Sequence, residues 1–231
     1  MKRVALLLVL AGLIVFGPAL AFAQDQTPAD GKRLPKVVLV GDSIRLSYAD
    51  AVSKHLAGKA IVVGPKANGG DSSNMLKHLD EWVIREQPDI VHFNCGIHDT
   101  KKFTETGKFQ VSPEQYEANL RRIVKRIRAE TGAVVLFATT TPILNDRAAA
   151  ARKGRDYVLL GESVVDYNRT ALGTMRDLDV AVDDLHAALS DTDQPETIES
   201  LIGPDGVHLT EKGRHLLGKQ VAAFIDHVLP K

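Results

Sequence analysis

Two short segments carry side chains that could do chemistry together. Ser43 closes Gly41-Asp42-Ser43, and Asp205 and His208 bracket Asp205-Gly206-Val207-His208 near the other end of the chain. A serine hydroxyl is a weak nucleophile until a histidine takes its proton. That histidine works best when a carboxylate fixes its tautomer and stabilises its cation. The chain holds this set in the order Ser, Asp, His. Gly41-Asp42-Ser43-Ile44-Arg45 is not Gly-x-Ser-x-Gly, so the nucleophile elbow of α/β-hydrolases is not the pattern here. Asp42 is expected to brace the first turn and Asp99 to tie down its own loop. Cys95, the only cysteine, reads as a small buried filler. The remaining histidines show no His-x-x-x-His spacing and there is no Cys-x-x-Cys, which argues against a metal site.

The elements that must position these groups follow from hydrophobic periodicity. Val37 to Val40, Ala60 to Val63, Asp89 to Phe93, Ala133 to Ala138 and Val180 to Val182 are short apolar runs, the pattern of strands buried on both faces. Helical patterns alternate with them, from about Tyr48, after Asp71, from Ser112 to Gly132, near Val158 to Asp177, and after Thr210. Ser112 and Gln115 read as a capping box around Pro113, and Gly132 as the stop. The alternation predicts an α/β fold: a three-layer α/β/α sandwich on a five-stranded parallel sheet. Chemistry in such sheets gathers outside the carboxyl ends of the strands, where Ser43, Gly70, Asn94 to Asp99 and Thr139 to Thr141 all fall. The Asp205–His208 loop joins them if the last helix docks beside the first strand.

Composition narrows the class further. Lys plus Arg and Asp plus Glu are both 29, so nothing points to nucleic acid or an anionic membrane surface. Lys2 and Arg3, the apolar stretch Val4 to Phe16 and Ala21-Phe22-Ala23 read as a signal peptide cleaved before Gln24. Residues 24–35 read as an exposed leader and 36–231 as one domain. Export without a disulfide suggests a bacterial periplasmic or secreted protein, with no stable membrane insertion after cleavage. Arg147 and Arg152, in the loop after the fourth strand, read by default as a solvated face; the sharper alternative is a binding face for an acidic substrate.

Gly41-Asp42-Ser43, Asn68-Gly69-Gly70-Asp71-Ser72, Gly96-Ile97-His98-Asp99 and Asp205-Gly206-Val207-His208 together resemble the blocks of the SGNH (GDSL-type) hydrolase family. The resemblance covers nearly the whole chain after the leader. It implies the family's flavodoxin-like sandwich, a Ser43-His208-Asp205 triad, and no metal or cofactor. It also implies an oxyanion hole built from the Ser43 and Gly70 amides. Histidine stands where the family has an asparagine donor. Neutral imidazole carries one N–H, so His98 can still donate; Asn94 is the alternative donor. The implied activity is an exported serine esterase acting on small-molecule or carbohydrate esters, with O-acyl (acetyl) groups on carbohydrate the leading substrate. An O-acyltransferase on the same triad and a non-catalytic glycan-binding module are the alternatives.

Overall fold

The computed structural model describes residues 33–191 and 196–230. The expected signal peptide at 1–23 and most of the leader at 24–35 lie outside the described residues. In chain order the elements are β1 (Lys36–Val40), α1 (Ser43–His55), β2 (Ile61–Val63), α2 (Ser72–Lys77), α3 (Leu79–Trp82), β3 (Ile90–Phe93) and β4 (Lys102–Phe103). They continue with α4 (Pro113–Thr131), β5 (Val134–Ala138), α5 (Asn145–Ala151), β6 (Tyr157–Val158), α6 (Gly161–Asp177) and β7 (Ala181–Asp183). The chain closes with α7 (Leu185–Ser190), α8 (Ile198–Leu201) and α9 (Glu211–Asp226).

Five strands pair in parallel in the order β2-β1-β3-β5-β7. Counted along this sheet the order is 2-1-3-4-5, the doubly wound arrangement with its switch point beside β1. The side-chain period of two then divides the core. Val38, Val40, Val91, Phe93, Val135 and Phe137 face one layer, where Tyr116, Leu120, Ile123 and Ile127 of α4 and Tyr167 and Met175 of α6 pack. Val37, Leu39, Ile90 and Leu136 face the other, against Ile44, Tyr48 and Val52 of α1 and Leu217, Val221 and Ile225 of α9. Burying each such large side chain contributes about 1.5–3 kcal/mol, so both sheet faces are covered rather than one left wet.

Local signals explain the boundaries, including those that differ from expectation. The first helix begins at Ser43 rather than near Tyr48, because Asp42 caps it by accepting from the Ile44 N–H at 2.9 Å. The helix expected from about Val158 starts at Gly161, since Tyr157 and Val158 instead pair antiparallel with Phe103 and Lys102. Two-residue strands have no periodicity to betray them. At α4, Ser112 accepts from the Gln115 N–H and Gly132 closes the helix at φ 71°. The capping box is only half formed: the Gln115 side chain donates to Asn119 Oδ1 at 2.8 Å, and the Ser112 hydroxyl donates to Glu114. Among the described residues, no helix is long and apolar enough to cross a membrane.

The helix α9 packs along α1, and a glycine makes the approach possible. A Cβ on Gly218 would lie 2.5 Å from Ala51 Cβ, whereas one on Gly173 in α6 would meet nothing within 4 Å. Gly218→Ala should therefore destabilise the fold by about 1–3 kcal/mol through overpacking. Gly173→Ala should stabilise it by about 0.5–1 kcal/mol through helix propensity. Urea denaturation midpoints moving in opposite directions would bear this out; equal midpoints would refute it.

Candidate active site

Ser43 is the first residue of α1, so its hydroxyl and amide sit at a helix N-terminus, where the first N–H groups have no intrahelical partner. His208 and Asp205 arrive from the loop before α9. Ser43 Oγ lies 3.0 Å from His208 Nε2, and His208 Nδ1 lies 2.5 Å from Asp205 Oδ2. Asp205 is an acceptor, so Nδ1 carries the proton and Nε2 presents its lone pair to the serine hydroxyl. The other carboxylate oxygen, Oδ1, accepts from the backbone amides of His208 at 2.9 Å and Val207 at 3.1 Å. Burial pushes the Asp205 pKa up, but these bonds and the nearby ring outweigh it and leave the carboxyl below its usual range. The group stays anionic beside the imidazole.

The loop that carries this pair is held from several sides. Gly203 N–H donates to His208 O at 2.7 Å, and Leu144 N–H to Gly206 O at 3.0 Å. Gly206 has φ 73°, and a Cβ there would lie 2.5 Å from Ala148 N, so α5 packs directly on the glycine backbone. Arg152 donates to Asp205 O at 2.9 Å, and Arg147 to Glu199 O at 2.9 Å and Ile202 O at 2.7 Å. For these two arginines the sequence offers a solvated face or, alternatively, a substrate-binding one. The structure turns their guanidinium groups onto loop carbonyls instead, because α5 lies against the loop.

The Gly69 backbone and the Asn94 side chain both close on Gly41. Gly69 N–H donates to Gly41 O at 2.9 Å, which joins the loop before α2 to the turn that bears Ser43. Gly70 follows with φ 64° and donates its N–H to Asn68 Oδ1 at 2.9 Å. Asn94, the alternative oxyanion donor, does not reach the surface. It is 3% exposed, and a Cβ on Gly41 would lie 1.9 Å from its Oδ1, so it fills the space below the turn. Its amide helps hold the Asp42 carboxylate, whose pKa burial nonetheless raises.

His98 is half-buried in the turn after β3. Burial lowers its pKa, against the attraction of Asp42 and with the repulsion of Lys101 and His208. It is therefore neutral at neutral pH and within electrostatic reach of His208. Gly96 makes its turn possible: at φ 147°, a Cβ would lie 2.1 Å from Thr140 Oγ1.

Two positioning groups escaped the sequence reading, and a third proved more connected than expected. Arg45 is 3% exposed and donates to Pro65 O at 2.9 Å and Ala67 O at 3.3 Å, clamping the chain that leads to Gly70. Its signal was available: Arg45, Tyr48 and Val52 form the buried stripe of α1, with a cation in an apolar place. Asp99 is fully buried and accepts from Ser72 N at 3.0 Å and Ser72 Oγ at 2.5 Å, so it ties down α2 as well as its own loop. Asn119 of α4 completes the link by donating to Ser72 Oγ at 2.9 Å. Among the described residues no group of three or more His, Cys, Asp or Glu side chains is placed to hold a metal ion.

A family model described as the GDSL-like Lipase/Acylhydrolase family matches residues 35–216. No curated protein matches the chain. Among solved structures, a lipase/acylhydrolase from Enterococcus faecalis is 21% identical, with 85% of this chain and 98% of that one covered at a TM-score of 0.69. An acetylxylan esterase from Geobacillus stearothermophilus is 20% identical, covering 83% and 94% at 0.67. The acetyl xylan esterase AlAXEase is 16% identical, covering 82% and 99% at 0.65. At these identities the likeness is one of fold.

Burial moves the Asp99 pKa up to about 7, against the two Ser72 hydrogen bonds that favour the anion. A carboxyl raised in the folded state binds its proton more tightly there than in the unfolded chain. Stability from this group is full below about pH 4 and is lost as pH rises to about 7. Asp99→Asn keeps an oxygen for both Ser72 donors and cannot ionise. Urea unfolding at pH 4.5 and 7.5 should show the wild type losing roughly 2–4 kcal/mol more than the variant across that interval. Parallel losses would show that Asp99 does not titrate in this window.

Proposed function

The chain belongs to the GDSL-like lipase/acylhydrolase family, and from that premise we propose that it is an exported serine esterase using Ser43, His208 and Asp205. The observation that carries the reading is the unbroken hydrogen-bonded chain from Ser43 Oγ through both ring nitrogens of His208 to Asp205. Ser43 Oγ attacks the ester carbonyl carbon while His208 Nε2 takes the hydroxyl proton. Asp205 holds the ring tautomer and stabilises the imidazolium. The carbonyl oxygen becomes an oxyanion beside the Ser43 amide at the start of α1, the Gly70 amide and the His98 ring. Fixed donors aimed at that oxygen stabilise the tetrahedral state more than the planar ester. Collapse breaks the bond to the alcohol, which leaves with the proton from His208. Water, activated by the same ring, then frees the acid and restores Ser43.

The proposed substrate is an O-acetyl ester on carbohydrate. Its support is the apolar run at the N-terminus, which reads as an export signal, and the presence of two acetylxylan esterases among the structural neighbours. Acetate release from acetylated polysaccharide, set beside butyryl and long-chain esters, tests this choice. A preference for long chains would overturn it.

Two variants test the machinery with a chromogenic acetyl ester. Ser43→Ala should lose at least about 10³-fold in kcat. Wild-type turnover in that variant would dispose of the nucleophile assignment. His98→Ala should lose about 10²–10³-fold in kcat, and His98→Asn should retain much of the rate, because one neutral donor replaces another. An unchanged rate in His98→Ala would remove His98 from the oxyanion hole.

A further inference from the structure

Asn68 holds the amide on which the proposed oxyanion hole depends. Its Oδ1 accepts from the Gly70 N–H at 2.9 Å, and an N–H aimed at one oxygen cannot serve a second at full strength. The surrounding backbone has other anchors. Gly69 N–H donates to Gly41 O at 2.9 Å, and Asn74 Nδ2 donates to Gly69 O at 2.9 Å. Arg45 clamps Pro65 O and Ala67 O on the preceding residues. Asn68 itself is exposed, so its carboxamide can swing out to water.

We propose that Asn68 is a displaceable occupant of the oxyanion hole, its amide oxygen holding the Gly70 donor until a substrate carbonyl replaces it. This rests on the reading of Gly70 as a hole donor. The chemistry of the exchange favours catalysis selectively. A carboxamide oxygen and a ground-state ester oxygen are both neutral acceptors, so swapping one for the other gains little. The developing oxyanion is a charge-assisted acceptor, with bonds roughly twice as strong, so the exchange becomes favourable as the tetrahedral state forms. Asn68 thus keeps the donor aligned in the free enzyme and raises the barrier by the small net value of one exposed hydrogen bond. That value corresponds to about two- to tenfold in kcat/KM.

The test compares kcat/KM on p-nitrophenyl acetate for the full chain carrying Asn68→Ala, Asn68→Asp or Ser43→Ala. A displaceable occupant predicts that Asn68→Ala exceeds wild type by about two- to tenfold. Asn68→Asp should fall below wild type, because a carboxylate grips the N–H harder and repels the oxyanion. The gain in Asn68→Ala should reappear as tighter inhibition by a small alkylboronic acid, whose serine adduct places an oxygen in the hole. A turn-capping role predicts the opposite order, with Asn68→Asp near wild type and Asn68→Ala below it; that order overturns the proposal. A flat Asn68 series with an inactive Ser43→Ala also overturns it and leaves the esterase reading standing. Full activity in Ser43→Ala would sink the esterase reading and this proposal together.

Discussion

The site depends on how closely the Asn94 side chain and the Gly69 backbone approach Gly41. The Asn94 side chain occupies the space a Cβ would need, 1.9 Å from its ideal position. On the other side Gly69 brings its N–H to Gly41 O, and a Cβ on Gly69 would lie 2.6 Å from that oxygen. A side chain at Gly69 would separate the turn bearing Ser43 from the loop bearing Gly70, and one at Gly41 would displace Asn94. The distance between the proposed nucleophile and the proposed amide donor is thus set by the Gly69–Gly41 hydrogen bond together with the absence of side-chain atoms that would block it. The Gly69 contact is stiff, because it packs backbone on backbone with no rotamer in which to relax.

The sheet order explains why these segments meet at all. With β1 central between β2 and β3, the chain leaves β1 and β2 toward opposite layers, and their following loops converge over the strand ends. α9 then returns along α1 and presents the Asp205–His208 loop to the first turn of that helix. Behind this junction lies a fully buried pair, His92 on β3 and Asp183 on β7, 3.2 Å apart. Gln220 of α9 donates to the second Asp183 oxygen at 3.0 Å. Burying such groups is costly unless their bonds are made, and the Gln220 bond both satisfies Asp183 and ties α9 to the sheet.

Three aspartates near the site show how environment divides one residue type among different tasks. Asp205 is partly open and accepts three hydrogen bonds, which keep it ionised beside His208. Asp99 is sealed in the core, where burial holds its proton to about pH 7 and the carboxyl serves as a brace for Ser72. Asp42 is also buried, caps α1 through one oxygen, and has its pKa raised by that burial. Sequence spacing alone does not distinguish these roles. Solvent access and donor count do.

The sequence by itself determined the layers, the parallel sheet and the residue types able to do chemistry, because apolar periodicity and short motifs are local properties. Val37 to Val40 and the Ser112–Gly132 helix could be read directly, for their signals lie within one element. Ser43, Gly70, Asp205 and His208 could be named from motif blocks alone. Only the tertiary structure decided which polar groups face the site and which face the backbone. Arg147 and Arg152 grip the Asp205–His208 loop, Asn94 is closed in under Gly41, and Asn68 takes the Gly70 N–H. Each outcome depends on partners brought close by packing, either from distant positions or across a tight loop. A side chain's task is set by the acceptor that packing places within 3 Å of it, and no local pattern encodes that distance.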